Sequence, residues 1–481
     1  MTVTTEGLAN IQEKIIRENF ERSGPFFLSR DLHPMLDCAC APEFATYKAA
    51  GNDIDAGLDV PLSVPFNAKL REEFFGGILF DRDQHRHFMV DHTAYGILRE
   101  AAQGRRTGRE LLDFADHTND ASEVRQTLGS LLQNNLLGPR DTDTDTSVEH
   151  FAARDLSLNY LQSPIIVEVE VTYGCFRACR HCAYESSPEA RIPGELTAPQ
   201  WGAIFGKLAE AGVLIVQLTG GDPLFRDDSF DIVEAADAAG LSVYIRSDTA
   251  ALNMQSVERL KALRGLWHVG TSIDGADAQT HDWMRGRGAF DMLRERVGIL
   301  AAAGIPVAAG ATLHKNNHTT VREIGRRITE FGAKWFDIGF LSPVGRGVNL
   351  RDLVLDDGEI RASLDLYLQG VRSGDYTPSH SHYVRRGQAN QPFADLTDLV
   401  DKLPYLTEWP FSRMRLDPTG SSYTAGKLKG SDFSGGYNLQ DNALAHIWDN
   451  SPNLAQLREL GGGGRIHSLD YRLLRSSHEF M

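Results

Sequence analysis

The chain has 481 residues, which is enough for two to four domains, and its 42% hydrophobic and 24% charged residues are those of an ordinary globular protein. Its formal net charge of -16 argues against a nucleic-acid-binding protein, because no basic field would attract phosphates. The sequence contains no apolar run long enough for a membrane span and no secretory signal at its N-terminus. Three of the five cysteines fall between residues 175 and 182, which favours a metal site in a reducing compartment over a disulfide framework. We therefore expect a cytoplasmic protein.

The first 160 residues predict an N-terminal extension, a small folded unit and a linker. Residues 1–62 begin with helical apolar spacing and then become irregular. Within residues 63–140, "GGILFDRDQHRHFMVD" predicts two short strands around a polar turn. Three helical patterns follow, "DHTAYGILREAAQG", "TGRELLDFADHT" and "ASEVRQTLGSLLQNNLLG". Residues 141–160 include the polar repeat "DTDTDT", which has no apolar face and predicts a linker.

Strand-like and helical segments alternate over residues 161–390. The strand-like segments are "IIVEVEVT", "LIVQLTGGD", "LSVYIRSD", "LWHVGTSIDG", "PVAAGATLHK" and "WFDIGFLSPVG". Such alternation indicates parallel strands joined by crossover helices, so we predict an α/β fold with a partial (β/α)6 TIM-like barrel. The rhythm stops near residue 390, and residues 391–481 are rich in loops.

Cys175, Cys179 and Cys182 directly follow the first strand of this predicted barrel. Their spacing lets one loop wrap three thiolates around a face of a cubane cluster. Three protein ligands leave one iron of a four-iron cluster open, as a catalytic site requires, whereas structural zinc normally takes four ligands. Structural zinc and unrelated thiols are the alternatives, but no second pair of cysteines or histidines lies nearby.

This Cys-x3-Cys-x2-Cys pattern, with the motifs that follow it, resembles the radical S-adenosylmethionine (radical SAM) enzymes over about residues 162–350. The resemblance implies one 4Fe-4S cluster on Cys175, Cys179 and Cys182, with SAM chelating the open iron. It also implies that one electron, from a donor such as flavodoxin or ferredoxin, cleaves SAM to methionine and a 5'-deoxyadenosyl radical. That radical would abstract a hydrogen atom from the substrate.

The resemblance also implies SAM contacts at the carboxyl ends of the later strands. "TGGDP" stands where the family has a Gly-Gly-Glu-like motif, and its glycines would let the backbone approach the SAM amino group. Arg285 would hold a carboxylate in a bidentate fork. Each residue alone has a plainer interpretation as a turn, a strand end or a surface ion pair, and their order along the chain supports them together. The implied contacts are Gly220, Gly221, Asp222, Pro223, Ser247, Asp248, Ser272, Asp274, Arg285, Asn317, Leu341 and Gly345.

Residues 63–140 resemble the recognition element of ribosomally synthesised peptide pathways, of which a small carrier protein of pyrroloquinoline quinone biosynthesis is an example. The resemblance implies a winged-helix-like domain that captures a precursor's leader peptide as an added strand at the sheet edge. A DNA-binding winged helix is the alternative, which the acidic balance and the lack of a basic recognition helix disfavour.

Residues 391–481 resemble the SPASM extension of peptide-modifying radical SAM enzymes. That extension normally carries cysteines and further iron–sulfur clusters, but this segment has no cysteine. We therefore expect a single cluster, and a SPASM-like fold kept by hydrogen bonds and packing in place of metal.

These features together predict a radical SAM enzyme that modifies a ribosomally made precursor peptide. A side-chain cross-link through a C–C or C–O bond is the first expectation. Epimerisation of a peptide α-carbon is the second, because it avoids net oxidation; Cys38 and Cys40 would then be the candidate hydrogen donors, although two incidental thiols in a loop are the plainer interpretation. A third hypothesis is a small-molecule radical SAM enzyme, such as those of haem pathways that share a "TGGDPL"-like motif, and a fourth is a scaffold without SAM cleavage.

Overall fold

The computed structural model describes residues 26–28, 58–74, 76–116, 121–141, 146–156, 161–341, 343–378, 413–423 and 434–451. These residues form two compact units that divide at the Ser163–Pro164 bond. None of the helices in these ranges is long and apolar enough to cross a membrane. Cys38 and Cys40 lie outside the described residues.

The first unit combines short strands with three helices. Its strands are β1 (Phe26–Leu28), β2 (Leu62–Ser63), β3 (Ala68–Glu73), β4 (Gly76–Asp81), β5 (Arg86–Val90), β6 (Gly138–Pro139) and β7 (Val148–Phe151). Its helices are α1 (His92–Ala101), α2 (Gly108–Asp116) and α3 (Ala121–Gln133). The two strands and three helices predicted for residues 63–140 are thus confirmed. One sheet has the order β1-β5-β4-β3-β7, and β2 pairs separately with β6.

Local polar contacts set the β4–β5 turn and the start of α1. The Asp81 carboxylate accepts hydrogen bonds from the backbone N–H of Asp83 and Gln84 at 3.0 and 2.9 Å. Asp91 caps α1 by accepting from the N–H of Ala94 at 2.7 Å. The apolar side chains of α1, such as Leu98, then pack within a buried cluster that includes Leu70, Leu79, Phe88, Leu111 and Leu128.

Strand β7 lies within the segment predicted as a linker. It pairs in parallel with β3, from Ala68 opposite Val148 to Arg71 opposite Phe151. The buried Lys69 ammonium lies 4.0 Å from the Glu149 carboxylate. The polar sequence of this segment showed no apolar face, and its strand structure comes from a non-local partner that local patterns do not reveal.

The second unit is built on a nine-stranded sheet with the order β13-β12-β11-β10-β9-β8-β14-β15-β16. Six of these strands, β8 to β13, run parallel and follow the chain order, which confirms the predicted parallel α/β sheet. The strands are β8 (Ile166–Thr172), β9 (Ile215–Gly220), β10 (Ser242–Arg246), β11 (Leu266–Ser272), β12 (Val307–Leu313), β13 (Trp335–Phe340), β14 (Arg413–Leu416), β15 (Ser421–Tyr423) and β16 (Ser434–Asn438).

In the described part of this unit, six helices connect the parallel strands, and two more follow β13 and β16. They are α4 (Ala198–Glu210), α5 (Ser229–Ala238), α6 (Met254–Lys261), α7 (Ala278–Arg285), α8 (Ala289–Ala302), α9 (Val321–Glu330), α10 (Asp357–Arg372) and α11 (Leu444–Asn450). Helix α4 shows why these segments are helical: Thr197 and Gln200 form a capping box, and Trp201, Ile204, Phe205 and Leu208 make one buried face.

The tail contributes to the same sheet. Strand β14 pairs in parallel with β8, with Arg415 opposite Glu168, and β15 and β16 extend the sheet by antiparallel pairing. The loop-rich tail therefore begins, in its described part, with a strand beside the first strand of the parallel set.

Candidate functional site

The three clustered cysteines lie on one loop that follows β8. The backbone N–H of Cys175 donates to the carbonyl of Ser187 at 3.0 Å, and that of Cys182 donates to the carbonyl of Cys179 at 3.2 Å. All three thiols are free; Cys175 is buried, and the other two are half-buried. We call residues 175–187 the cysteine loop.

The donor set, three free thiols on one loop, fits an iron–sulfur cluster, whose irons bind cysteine thiolates. Burial raises the pKa of the Cys175 thiol, and the carboxylates of Asp222 and Asp248 raise it further. Burial likewise raises the pKa of Cys179. Iron binds thiolates, so a positively charged metal core would compensate this cost and displace the protons.

The geometry also bears on the zinc alternative. Among the described residues, no three His, Cys, Asp or Glu side chains lie close enough together to hold a single metal ion. A structural zinc ion needs such a compact donor set. The cysteines of a 4Fe-4S cluster bind different irons and need not converge on one point, so this finding bears on zinc and leaves the predicted cluster site open.

The "GGD" turn after β9 packs against the backbone that leads into the cysteine loop. Gly220 has a φ of +122°, and a Cβ on Gly221 would lie 2.2 Å from the carbonyl oxygen of Gly174. The N–H of Gly221 donates to the carbonyl of Thr172 at 2.7 Å, and that of Asp222 donates to Gly174 at 2.9 Å. The glycines are therefore required for contact between two loops, besides any approach to a cofactor.

Gly221→Ala is expected to destabilise the protein by about 1–3 kcal/mol, because the new methyl group would overlap a backbone carbonyl that has no room to move. The matched control is Gly206→Ala in α4, where a Cβ meets no atom within 4 Å. That change should stabilise the helix slightly. Thermal unfolding of both variants tests this prediction, and equal melting temperatures would contradict it.

Asp222 joins the ends of β9 and β10. Its fully buried carboxylate accepts from the Ser247 hydroxyl at 2.9 Å and from the N–H groups of Leu224 and Asp248, both at 2.9 Å. Burial, followed by the charge of Asp248, raises the pKa of Asp222. Asp248 in turn pairs with Arg177 of the cysteine loop, with Nε and Oδ2 2.8 Å apart. Three of the predicted SAM contacts thus form one network beside Cys175, and Pro223 begins the short 3-10 turn that follows.

Asp274 is the centre of a second buried network, at the ends of β11 and β12. Its Oδ2 lies 2.6 Å from Arg285 Nε, and its Oδ1 accepts from the N–H of Thr312 at 2.8 Å. Asn317 donates from Nδ2 to the carbonyl of Asp274 at 3.0 Å. The carboxylate that Arg285 holds in this structure is therefore the protein's own.

The charges around Asp274 decide its ionisation. Burial alone would raise the pKa of Asp274, but the Arg285 guanidinium, and the His181 and His281 rings once acid protonates them, hold it below its ordinary value. Burial lowers the pKa of both His181 and His281 to about 4, so both rings are neutral at pH 7. The network therefore carries one carboxylate and one guanidinium, both largely removed from water.

The remaining predicted contacts have simpler surroundings. Ser272 is half-buried at the end of β11, opposite Gly310 of β12. Leu341 is a core residue whose N–H donates to the carbonyl of Leu313 at 2.9 Å. Gly345 has a φ of +53°, and a Cβ there would lie 2.4 Å from the carbonyl oxygen of Ala183. Gly345 thus packs directly onto the cysteine loop.

Arg346 was not among the predicted contacts, yet it binds the backbone of the cysteine loop. Its Nε donates to the carbonyl of Cys179 at 2.8 Å, and its Nη2 donates to the carbonyl of Ser186 at 2.6 Å. Its backbone N–H also donates to the carbonyl of Cys182 at 3.1 Å. The "GRG" that follows β13 was the available signal, but the family resemblance implied a role only for its first glycine.

Comparison with known proteins places these features in a family. The profile of the radical SAM superfamily matches residues 169–328. The mycofactocin maturase MftC of Mycobacterium tuberculosis is 30% identical over 311 residues, which are 64% of this chain and 76% of that protein. An AdoMet-dependent heme synthase of Nitratidesulfovibrio vulgaris is 31% identical over 203 residues, 42% of this chain. The chain spans about half the length of that synthase, 55%.

A solved structure with a similar fold is that of Streptococcus suis SuiB bound to precursor peptide SuiA. The TM-score is 0.62 at 15% sequence identity, and the superposition covers 82% of this chain and 90% of SuiB. At this identity the likeness concerns the fold alone. It extends well beyond the residues that the family profile matches.

Proposed function

Because the chain belongs to the radical SAM superfamily, whose cofactors are a 4Fe-4S cluster and SAM, we propose that it modifies a ribosomally made precursor peptide. The observation that carries the proposal is the similarity to a maturase over 76% of that protein's length, together with the cysteine loop. When bound, the two cofactors supply a 5'-deoxyadenosyl radical that removes a hydrogen atom from the substrate. The chain itself holds the cluster with Cys175, Cys179 and Cys182 and orders their loop through Arg177 and Arg346.

The first unit is the proposed peptide-recognition element. SuiB, whose fold is similar over 82% of this chain, was crystallised with its precursor peptide, and that fact supports a peptide substrate here. An extended peptide binds a sheet by adding a strand to an edge, where main-chain hydrogen bonds supply affinity. The same proposal includes two finer assignments: a winged-helix-like fold for residues 63–140 and a SPASM-like fold for residues 391–481.

The added strand could pair with β3 or with β5, which lie on opposite sides of β4. The edge at β3 is the less accessible of these two. Strand β7 covers it, and side-chain contacts strengthen that pairing: Lys69 faces Glu149, and Glu72 accepts from the N–H of Ala153 at 3.0 Å. The following segment is also held, because Arg71 donates to the Ser163 hydroxyl at 2.7 Å.

The edge at β5 carries a shorter strand. β1 covers it with three residue pairs, from Phe26 opposite Val90 to Leu28 opposite Phe88. We therefore place the peptide at β5, where it would replace Phe26–Leu28. The chain's own N-terminal strand then competes with the peptide for the same main-chain partners.

Deletion of residues 1–30 is expected to tighten peptide binding. If β1 covers the edge in about nine-tenths of molecules, its removal increases affinity about tenfold. Fluorescence anisotropy with a labelled synthetic precursor, encoded beside the gene, measures this. A deletion of residues 1–20, which keeps β1, is the control. Unchanged or weaker binding to the shorter chain would contradict the placement of the peptide at β5.

We propose cross-linking of two side chains as the reaction, with α-carbon epimerisation as the second candidate. Cross-linking removes two hydrogen atoms from the peptide: the 5'-deoxyadenosyl radical takes one, and the other leaves as a proton and an electron that the cluster would have to accept. Epimerisation exchanges one hydrogen atom and leaves the mass unchanged in ordinary water. Mass spectrometry of the peptide product made in heavy water separates them. A loss of two hydrogens supports cross-linking, and a gain of one deuterium per changed residue supports epimerisation and directs attention to Cys38 and Cys40.

A small-molecule substrate is the other candidate, which the 31% identity to a heme synthase favours. It would be supported if SAM cleavage proceeds while no neighbouring precursor peptide binds residues 63–140 or changes in mass. We propose that reduced flavodoxin or ferredoxin supplies the electron, in a reducing cytoplasm that suits three free thiols.

A further inference from the structure

A buried group of charged and aromatic side chains lies where β14 and β15 meet β8. The Arg413 Nη1 lies 2.9 Å from Glu168 Oε1, and the Arg415 Nη2 lies 2.7 Å from Glu168 Oε2. The Tyr423 hydroxyl donates to the neighbouring carboxylate of Glu170. Glu168 and Glu170 of β8 thus each have a polar partner in the cysteine-free tail.

The same group reaches residues on both sides of the three cysteines. Tyr184, two residues after Cys182, accepts through its hydroxyl from Arg415 Nη1 at 2.7 Å. Tyr173, two residues before Cys175, donates to Glu170 Oε2 at 2.8 Å. The Tyr173 and Tyr184 rings stack with centroids 6.3 Å apart and planes inclined by 17°. The two tyrosines that flank the three cysteines therefore contact each other. Tyr184 also contacts the tail directly, and Tyr173 is linked to it through Glu170.

Such a group costs desolvation energy, and apolar residues of similar volume often replace buried ion pairs without loss of stability. Its fixed hydrogen-bond directions instead define one position for the side chains that it joins. We propose that Arg415 and Tyr423 are positioning residues for the cluster-binding loop, acting through Tyr184 and through Glu170 and Tyr173. In this way the tail supports the cluster without contributing a ligand. The inference rests on family membership and is independent of the peptide substrate.

Two variants test this inference. Tyr184→Phe keeps the ring stack and removes the contact with Arg415, and Arg415→Met removes the buried charge at similar length. The matched control is Tyr376→Phe, a buried tyrosine that donates to the carbonyl of Tyr367 at 2.9 Å, on a different part of the second unit. Each protein is reconstituted anaerobically, and the measurements are iron per chain, the EPR spectrum of the reduced cluster with and without SAM, the midpoint potential, and the melting temperature before reconstitution.

We expect Tyr184→Phe to melt within a few degrees of the wild type, yet to lose iron or to change the EPR spectrum. Arg415→Met removes one positive charge from this buried group, and a tenfold change in the one-electron equilibrium would appear as a fall of about 59 mV in the midpoint potential. Tyr376→Phe should match the wild type. If Arg415→Met does not fold, Tyr184→Phe decides alone. The inference would be overturned if both variants fold and keep the wild-type iron content, spectrum and potential. If only Tyr184→Phe folds, the same result in that variant alone would overturn it.

Discussion

Asp274→Asn is expected to lower the free energy of unfolding by about 3–5 kcal/mol, the usual effect of removing one partner from a buried ion pair. The Arg285 guanidinium, 12% exposed, would lose the carboxylate that lies 2.6 Å from its Nε. An amide carries no charge to balance Arg285, and if its oxygen accepts from the Thr312 N–H, its NH2 group faces the guanidinium donors. Urea unfolding at pH 7 measures this loss.

The control for Asp274 is Asp231→Asn, which removes an exposed partner of Arg259 and should change little. The sign of the pH dependence follows from the lowered pKa of Asp274. Its stabilising effect is fully present above the unfolded-state value of about 3.9 and is lost as the pH falls through the lower, folded value. The difference between wild type and variant should therefore shrink in acid, and a constant difference would contradict the role given to the charge.

The second large effect is expected for Arg346→Ala, which should lose at least half of the cluster iron. The variant removes two side-chain bonds, to the carbonyls of Cys179 and Ser186, that hold the middle and end of the cysteine loop. Arg346→Lys should not restore the iron content, because one ammonium group cannot reproduce the guanidinium fork.

The control for Arg346 is Arg326→Ala, which removes a half-exposed partner of Asp375 outside the cysteine loop. All three variants are compared by iron and labile sulfide per chain at equal protein concentration. Full iron content in Arg346→Ala would show that the cysteine loop keeps its shape without this contact.

Periodic patterns along the chain predicted the parallel sheet and the position of the cysteine loop. The strands β8 to β13 are short apolar segments separated by amphipathic helices. Both patterns are local in sequence, so they can be read without knowing the fold. The strands β7 and β14 were not predicted as parts of sheets, because each is defined by a partner far away in sequence.

The contacts of the acidic residues also could not be predicted from a sequence pattern. Spacing placed Asp222 and Asp274 at strand ends, where ligands bind in such folds. It did not indicate that the Asp222 carboxylate accepts a hydrogen bond from Ser247, or that the Asp274 carboxylate pairs with Arg285. Arg346 and Arg415 were missed for a related reason: their partners are backbone carbonyls and buried tyrosine or glutamate side chains that only the folded chain brings within reach.

The most direct test of the account is iron and labile sulfide per chain after anaerobic reconstitution, in the wild type and in a Cys175/Cys179/Cys182 triple alanine variant. We expect about four irons and four sulfides in the wild type, and none in the variant, as one cluster on one loop requires. Several irons retained by the variant would contradict the single-cluster account and would mean that other residues hold a second site.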